Sequence, residues 1–198
     1  MSGVLAVSCV VLAGGRAMRM GGMDKGLISL QNKPLIQHVI SRLQLQVDEI
    51  LINANREIAQ YESFSYKVLQ DENQDFAGPL AGVLLGLKHS KHELVLSVPC
   101  DSPLLPADLV ARLYNGICES LVDIAVASSD GNAHPVFCLM KKSVLPSLMD
   151  FLDAGERKVS AWQKNQKYVE VDFSDCSEAF VNLNTPQDLA DLEQKLKL

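Results

Sequence analysis

A loop rich in glycine, arginine and lysine follows the first apolar stretch of the chain. Its sequence is Leu12-Ala-Gly-Gly-Arg-Ala-Met-Arg-Met-Gly-Gly-Met-Asp-Lys25, with two arginines and a lysine within ten residues. Glycines let successive backbone N–H groups turn toward an anion. Arg19 adds a planar guanidinium and Lys25 a compact ammonium, so the loop predicts a triphosphate site. A solvated glycine-rich turn is the alternative interpretation of the same residues.

The spacing of these glycines excludes two other kinds of nucleotide-binding loop. The chain has neither the G-x-x-x-x-G-K-[ST] sequence of P-loop NTPases nor the G-x-G-x-x-G sequence of dinucleotide-binding folds. Its five cysteines contain no CxxC pair, and its four histidines show no metal-ligand spacing. The sequence therefore predicts buried, reduced thiols rather than a zinc site or a disulfide framework.

A single aspartate follows another apolar stretch. Asp101 lies in the turn Pro99-Cys-Asp-Ser-Pro103, directly after the apolar residues 93–98. A carboxylate at the end of a buried strand can hold a hard cation, and Mg²⁺ needs only one or two carboxylates together with water and substrate phosphates. We therefore predict that Asp101 binds Mg²⁺, with Mn²⁺ as a substitute. An aspartate that caps a turn is the alternative.

Two further polar residues follow the next predicted strands. Asp71 has two carboxylate oxygens, which can accept hydrogen bonds from the N1–H and N2–H₂ groups of a guanine. Asn53 has an amide suited to ribose or to nearby backbone. The alternative for Asp71 is a structural role in the turn Gln70-Asp-Glu-Asn-Gln.

Composition and charge exclude several classes of protein. The chain has 198 residues, of which 47% are hydrophobic and 21% charged, so a disordered or low-complexity chain is excluded. No apolar run approaches the ~18 residues of a membrane helix. The net charge of −6 has the wrong sign for a nucleic-acid-binding protein. The apolar start has no basic segment before it, so we expect no signal peptide and a cytoplasmic location.

Segments typical of strands alternate with segments typical of helices. The predicted strands cover residues 4–12, 49–53, 67–70, 93–98, 123–127, 136–140, 168–173 and 180–183. The predicted helices begin at or near Pro34, Gly78-Pro79, Pro106, Ser143 and Thr185-Pro186. This alternation predicts one α/β domain over residues 1–198, with a mainly parallel sheet and one antiparallel strand. Ligands bind such sheets at the carboxyl ends of the strands, where the chain places Gly14-Gly15, Asn53, Asp71 and Asp101.

Short motifs distributed along the chain resemble those of one enzyme family. The loop has the form L-A-G-G-x-x-x-R-M-G-G-x-D-K. It is followed by Lys33-Pro-Leu, Asn53-Ala-Asn, Gly78-Pro-Leu-Ala-Gly82, Pro99-Cys-Asp101, His134-Pro, Ala154-Gly-Glu-Arg157 and Phe180-Val-Asn-Leu-Asn-Thr-Pro186. In this order the motifs resemble the nucleotidyltransferases related to molybdenum cofactor guanylyltransferase. The Leu-Ala-Gly-Gly form is typical of the guanylyl enzymes, whereas related cytidylyltransferases usually have Leu-Ala-Ala-Gly.

The resemblance implies a three-layer, Rossmann-like nucleotidyltransferase fold and a particular reaction. GTP and Mo-molybdopterin would give Mo-molybdopterin guanine dinucleotide and pyrophosphate, with Mg²⁺ present. The terminal phosphate of the pterin would attack the α-phosphorus of GTP in line, which requires positioning and charge neutralisation rather than a protein nucleophile. The implied catalytic residues are Arg19 and Lys25, which would hold the phosphates, and Asp101, which would hold the metal.

The resemblance also implies the other residues of the site. The implied GTP-binding residues are Leu12, Ala13, Gly14, Gly15, Lys25, Asn53, Asp71 and Asp101. Gly22, Gly78 and Gly82 would shape the crevice, and Arg157, Asn182 and Asn184 would face the pterin. Sugar nucleotidyltransferases of the wider fold usually have a second metal-binding aspartate late in the chain. Because the matching region here carries Asn182 and Asn184, the resemblance does not imply a second protein carboxylate on the metal.

The implied partners are the two substrates, GTP and Mo-molybdopterin. We expect a monomer that makes transient contacts with molybdenum-insertion and molybdoenzyme maturation proteins, and that binds neither nucleic acid nor a membrane. Two other functions stay open on the sequence. A cytidylyl- or sugar-1-phosphate nucleotidyltransferase would have the same fold, and a guanine-nucleotide-binding regulatory module would bind GTP without releasing pyrophosphate.

Overall fold

A seven-stranded sheet forms the centre of the part of the chain that the computed structural model describes, namely residues 6–15, 24–71, 78–181, 183 and 185–195. The strands are β1 (Val7–Leu12), β2 (Ser29–Leu30), β3 (Lys33–Pro34), β4 (Glu49–Asn53), β5 (Lys67–Leu69), β6 (Leu94–Pro99), β7 (Ile124–Ser129), β8 (Asn132–Lys141) and β9 (Tyr168–Asp172). The α-helices are α1 (Leu35–Leu43), α2 (Ile58–Glu62), α3 (Pro79–His89), α4 (Leu109–Ser120), α5 (Leu145–Asp153), α6 (Val159–Lys164) and α7 (Pro186–Lys195). Short 3₁₀ helices cover Lys25–Leu27, Lys142–Val144 and Ser174–Phe180.

The strand order in the sheet is β5-β4-β1-β6-β8-β7-β9. Strand β8 runs antiparallel to both of its neighbours, and every other neighbouring pair in this sheet is parallel. The predicted mainly parallel α/β sheet with one antiparallel strand is therefore confirmed. Strands β2 and β3 pair only with each other, as a small hairpin that was not predicted.

Helices cover both faces of the sheet, and the burial of β1 on both faces explains why its sequence is mainly apolar. Cys9 and Val11 point into the cluster that also contains residues of α1, α2 and α4. Val10 points the other way, into the cluster formed with α3, α5 and α6. A strand that is buried on both faces needs mainly apolar side chains, and five of the six residues of Val7–Leu12 are apolar. The exception, Ser8, is buried and donates its hydroxyl to the carboxylate of Glu49. Trp162 of α6 is fully buried in the second cluster, which confirms its predicted place in the core.

Strand β1 lies where the order of the strands reverses. The chain adds β4 and then β5 on one side of β1, and afterwards adds β6 on the other side. Such a reversal opens a crevice at the carboxyl ends of the strands, and it is where ligands bind in open α/β sheets. The last residue of β1, Leu12, is aligned with Asn53 of β4 and with Pro99 of β6. Three predicted site segments therefore leave the sheet side by side.

Two sequence-based predictions are wrong. The strand predicted over residues 180–183 is absent at its described positions, because Phe180 ends a 3₁₀ helix and neither Val181 nor Leu183 pairs in a ladder. Phe180 is buried instead by ring contacts, stacked 4.7 Å from His134. Among the cysteines, Cys118 is exposed on α4 rather than buried.

Helices α2 and α6 are additional elements that the sequence did not predict. They have five and six residues, which is too short for a helical repeat of apolar positions to show. None of the described helices combines the length and the apolar character that a bilayer-spanning segment needs.

Candidate active site

The crevice begins where β1, β4 and β6 end together. The backbone amide of Ala13 donates to the carbonyl of Asn53 (2.8 Å), and the amide of Cys100 donates to the carbonyl of Leu12 (3.1 Å). These hydrogen bonds continue the sheet by one residue beyond the strands. As a result, the backbone that follows Ala13 and the side chain of Asp101 emerge next to each other at the same edge.

Lys25 and Asp101 meet at this edge although 76 residues separate them in the sequence. The Nζ atom of Lys25 lies 3.4 Å from Oδ2 of Asp101. The carboxylate is largely buried and the ammonium is partly exposed, with 10% and 28% of the two side chains accessible to solvent. A partly exposed pair at this distance adds little stability. Its importance is chemical, since it places one cation and one carboxylate together at the mouth of the crevice.

A buried aspartate and tyrosine lie beneath this ion pair. Asp24 is only 6% exposed and accepts a 2.5 Å hydrogen bond from the hydroxyl of Tyr61. A Cβ added to Gly26 would lie 2.7 Å from that hydroxyl and 3.2 Å from Sγ of Cys100, so only glycine fits there. Tyr61 of α2 therefore contacts residues on both sides of Lys25 in the sequence.

Burial controls the protonation of these groups. It raises the pKa of Asp24, whereas the hydrogen bond from Tyr61 and the charge of Arg56 lower it in part. Burial also raises the pKa of Cys100 well above its usual value, and the neighbouring charge of Asp101 adds to this effect. The thiol of Cys100 is therefore protonated and is not a nucleophile at neutral pH.

Asp71 joins the ends of β4 and β5 through a network of amides. Its Oδ1 accepts from Nδ2 of Asn53 (2.9 Å) and its Oδ2 accepts from Nδ2 of Asn55 (2.7 Å). Its own backbone amide donates to Oδ1 of Asn55 (2.8 Å). Each carboxylate oxygen has two acceptor positions, and the side chains of the described residues occupy one on each oxygen. The network fixes the orientation of the carboxylate before any ligand binds.

Glycines bring the neighbouring backbone close to this network. A Cβ on Gly82 of α3 would overlap Oδ1 of Asn53 and lie 2.5 Å from Cδ2 of Leu12. A Cβ on Gly14 would lie 3.0 Å from the side chains of Asn53 and Asn55. Gly15 differs, because no described atom lies within 4 Å of the same position. The described residues are therefore packed closely around Gly14, whereas none of their atoms occupies the same position at Gly15.

Of the other residues predicted for the site, Gly78 and Arg157 are described by the structure. Gly78 precedes α3 with a φ of 143°, a conformation that favours glycine. Arg157 donates to the carbonyls of Leu152 and Glu156 at the end of α5 (2.8 and 2.7 Å). Arg19, Gly22, Asn182 and Asn184 lie outside the described residues. The amide of Leu183, which lies between these two asparagines in the sequence, donates to the carbonyl of Asp101 (3.3 Å).

Sequence reasoning missed three residues of the crevice. Asn55 holds Asp71, Tyr61 holds Asp24, and Nη2 of Arg56 lies 3.4 Å from the carbonyl oxygen of Gly15. Asn55 belongs to the motif Asn53-Ala-Asn, which was the one available signal. Tyr61 and Arg56 belong to no motif. Their positions depend on helix α2, which begins just after Arg56 and contains Tyr61, and which the sequence did not predict.

The described residues contain no group of three histidine, cysteine, aspartate or glutamate side chains placed to hold a metal ion. Asp101 lies beside Lys25 at the carboxyl end of β6, where it could hold a metal together with substrate phosphates. A mainly parallel sheet with these polar groups at its switch point is typical of one class of protein. This class comprises the α/β proteins that bind nucleoside phosphates at the carboxyl ends of their strands. Residues 9–169 match the MobA-like NTP transferase domain, and the chain belongs to this family of nucleotidyltransferases.

Named relatives cover nearly the whole chain. A protein of Shewanella halifaxensis is 49% identical over 181 residues, which are 91% of this chain and 90% of the relative. A protein of Shewanella sediminis is 46% identical over 192 residues, which are 97% of this chain and 98% of the relative. Both are named molybdenum cofactor guanylyltransferase.

The fold is similar to that of a solved structure from Archaeoglobus fulgidus, the molybdopterin-guanine dinucleotide biosynthesis protein A. The TM-score is 0.79 at 22% sequence identity, and the match covers 96% of this chain and 98% of the other. At this level of identity the comparison shows the fold alone, and it agrees with the nucleotidyltransferase fold that the motifs implied.

Proposed function

We propose that the protein transfers GMP from GTP to Mo-molybdopterin, forming Mo-molybdopterin guanine dinucleotide and pyrophosphate. The observation that carries the proposal is the meeting of Lys25 with Asp101 at 3.4 Å, at the edge of the sheet where the paired strands β1 and β6 end. This combination suits a nucleoside triphosphate with its metal. The identity of the acceptor is supported by the relatives at 46% and 49% identity that are named molybdenum cofactor guanylyltransferase.

The triphosphate would lie along the backbone that follows β1. The carbonyl of Leu12 and the amide of Ala13 already form hydrogen bonds within the sheet. Contacts to the base and ribose therefore fall mainly to the backbone from Ala13 to Gly15. Asn53 and Asp71 would bind the nucleoside. Arg19 and Lys25 would bind the phosphates, and Gly22, Gly78 and Gly82 would keep the crevice open.

A divalent metal is typical of nucleotidyltransferases of this kind, and the residues present fit Mg²⁺, with Mn²⁺ as a substitute. Asp101 offers a hard oxygen ligand from a side chain that is 10% exposed. One carboxylate is sufficient where substrate phosphates and water complete the coordination. When bound, the metal would neutralise phosphate charge. Lys25 reaches Oδ2 of Asp101, and it would supply a second positive charge at the same place.

In the proposed reaction, an oxygen of the terminal phosphate of the pterin forms a bond to the α-phosphorus of GTP. The bond from the α-phosphorus to the bridging oxygen breaks, and pyrophosphate leaves with that oxygen. Lys25 and Arg19 would stabilise the charge on the leaving group. No protein nucleophile is required, in keeping with the raised pKa of the buried Cys100.

The acceptor would bind on the side of Asp101 away from the base. Leu183 donates its backbone amide to the carbonyl of Asp101. Asn182 and Asn184 lie outside the described residues, and we assign them to the pterin side on the motif resemblance. Arg157 is the third residue that we assign to the pterin side. A single domain, a monomeric state, a cytoplasmic location and transient contacts with cofactor insertion and maturation proteins stay predictions.

The decisive experiment measures pyrophosphate release with GTP, CTP, ATP and UTP, each with and without molybdenum-loaded molybdopterin. We expect release only with GTP and only in the presence of the acceptor. Release with CTP, or with a sugar 1-phosphate as the acceptor, would show instead a nucleotidyltransferase of different specificity. Tight GTP binding without any pyrophosphate release would favour the regulatory module.

A further inference from the structure

We propose that Arg56 is a further nucleotide-binding residue, whose guanidinium binds a phosphate group of the triphosphate beside Gly15. The inference rests on the proposed function only in that a nucleoside triphosphate binds in this crevice. Arg56 belongs to none of the sequence motifs. Its proposed role follows from contacts that form only in the folded chain.

The backbone around Arg56 is held in place from both sides. On one side, Asn53 and Asn55 are fixed by their hydrogen bonds to the carboxylate of Asp71. On the other side, Glu57 has a φ of 49°, a conformation that is uncommon for residues other than glycine, and α2 begins directly after it. The direction in which the Arg56 side chain leaves the loop is therefore determined by the fold, although the side chain itself is exposed.

The guanidinium of Arg56 lies against the glycine backbone after β1. Its Nη2 is 3.4 Å from the carbonyl oxygen of Gly15, which is a long hydrogen bond. A guanidinium has five N–H donors, so most of them remain for another acceptor. The space that a Cβ on Gly15 would occupy contains no described atom within 4 Å. A phosphate group beside Gly15 would be within reach of these donors.

Arg56 donates to a backbone carbonyl, as Arg42 and Arg157 do, but it differs from Arg112, which pairs with a carboxylate. Arg112 forms an ion pair with Asp175 at 2.9 Å. Arg42 and Arg157 donate to backbone carbonyls within the fold. The described residues place no carboxylate within ion-pair distance of Arg56, and an exposed guanidinium without one is well suited to an anionic ligand.

The charge of Arg56 acts on two buried groups that lie close to Lys25. The positive charge of Arg56 acts to lower the pKa values of both Asp24 and Tyr61, which lie beneath Lys25. Arg56 and Lys25 come from different elements, since Arg56 follows β4 and Lys25 begins the 3₁₀ helix Lys25–Leu27. For a chain with a net charge of −6, cations gathered at one place favour a polyanion.

A purely structural role is the competing explanation, in which Arg56 only holds the carbonyl of Gly15. Two variants separate the explanations. Arg56→Gln keeps an N–H donor that can reach a carbonyl but removes the charge, whereas Arg56→Lys keeps the charge but loses the planar fork. Lys88→Ala is the matched control, because it removes one charge from an exposed position at the far end of α3.

The experiment measures Kd by calorimetry for guanosine, GMP, GDP and GTP with Mg²⁺, using the wild type, the three variants and Arg56→Ala. Loss of a hydrogen bond to a charged group predicts about tenfold to a hundredfold weaker GTP binding in Arg56→Ala and Arg56→Gln. Guanosine binding should change little, Arg56→Lys should recover part of the affinity, and Lys88→Ala should match the wild type. Melting curves of each protein check that the fold is retained.

Three results would overturn the assignment. GTP affinity in Arg56→Ala equal to that of the wild type would show that the guanidinium does not bind phosphate. Equal losses for guanosine and GTP, or full recovery in Arg56→Gln, would show that Arg56 acts only through Gly15. The same Kd measurements with cytidine nucleotides test the proposed function and the role of Arg56 separately. Preference of the wild type for CTP would contradict the proposed function, while the ratio of triphosphate to nucleoside affinity would still test Arg56.

Discussion

The hydroxyl of Tyr61 donates a hydrogen bond to the carboxylate of Asp24, with 2.5 Å between the two oxygens. Both residues are buried, and Asp24 directly precedes Lys25. The backbone of Gly26 packs against the same hydroxyl and against Cys100, the residue before Asp101. Through Tyr61, helix α2 therefore supports the two segments that carry Lys25 and Asp101.

Tyr61→Phe should lower the free energy of unfolding by about 1–3 kcal/mol, because the buried carboxylate of Asp24 loses its donor. Urea unfolding followed by circular dichroism measures the change. Tyr66→Phe is the matched control, since the hydroxyl of Tyr66 only accepts from the exposed side chain of Gln44. The control should stay within about 0.5 kcal/mol of the wild type. Similar losses in both variants would contradict a special role for the Tyr61 hydroxyl.

Asp24→Asn should change how stability depends on pH. Burial raises the pKa of Asp24 in the folded state. Such a carboxyl retains its proton to higher pH in the folded than in the unfolded chain, so stability is lost as pH rises from about 4 through the raised pKa. The variant cannot ionise at this position, and its amide oxygen can still accept from Tyr61.

The measurement for Asp24 is the difference in unfolding free energy between the two proteins, taken from about pH 4 to 7. We expect the wild type to lose stability relative to Asp24→Asn as the pH rises. A difference that stays constant over this range would show that Asp24 has an ordinary pKa in the folded protein.

Gly82→Ala and Gly86→Ala should separate packing from ligand binding. Both glycines lie on α3 against β1, and a Cβ on Gly86 would lie 2.6 Å from Cγ1 of Val10. Each substitution overpacks the interface and should cost about 1–3 kcal/mol of stability. Only Gly82→Ala displaces Asn53, so only this variant should bind GTP more weakly. GTP titrations well below the melting temperature measure this, and equal affinities in the two variants would remove Asn53 from the nucleotide site.

Lys25→Ala and Asp101→Ala should have different effects. Loss of the Lys25 ammonium should weaken GTP binding about tenfold to a hundredfold, with or without EDTA. Asp101→Ala should abolish most magnesium-dependent transfer but retain more of the GTP binding that is measured in EDTA. Fluorescence titration of GTP and pyrophosphate release measure the two properties. If Asp101→Ala keeps the wild-type magnesium midpoint and rate, the metal is bound elsewhere.

Inosine triphosphate tests base recognition by Asp71. This nucleotide lacks the 2-amino group, and loss of one charge-assisted hydrogen bond should lower kcat/KM about tenfold to a hundredfold relative to GTP. CTP should be a poorer substrate still. Asp71→Asn should narrow the ratio of GTP to ITP, because an amide cannot accept both protons.

The matched control for Asp71 is Asp150→Asn, which removes the same charge from an exposed position on α5. This variant should keep the wild-type ratio of GTP to ITP. Equal kcat/KM for GTP and ITP in the wild type would mean that Asp71 does not recognise the 2-amino group. An unchanged ratio in Asp71→Asn would assign base recognition to the backbone from Leu12 to Gly15.

Local patterns in the sequence were sufficient for much of the fold. The strand ending at Leu12 was recognisable because burial on both faces favours a run of mainly apolar, valine-rich residues. The edge of the sheet that carries the polar residues followed from the alternation of strands and helices. The pattern failed at Phe180, where contacts with His134, Phe137 and Phe173 bury the ring outside any strand. Such ring contacts join separate segments of the chain, so they produce no periodic pattern of apolar residues in the sequence.

The sequence by itself determined the family, the sheet and which residue types follow each strand, because these depend on motifs and on short-range periodicity. Only the tertiary structure decided which of those residues meet. Lys25 and Asp101 are 76 residues apart and become neighbours because β1 and β6 pair in parallel. Arg56 reaches Gly15 because β4 pairs on the other side of β1 and the left-handed backbone of Glu57 directs the loop. Contacts between residues that are distant in the sequence depend on strand pairing and on the direction of the backbone. The spacing of residues along the chain does not predict either of these.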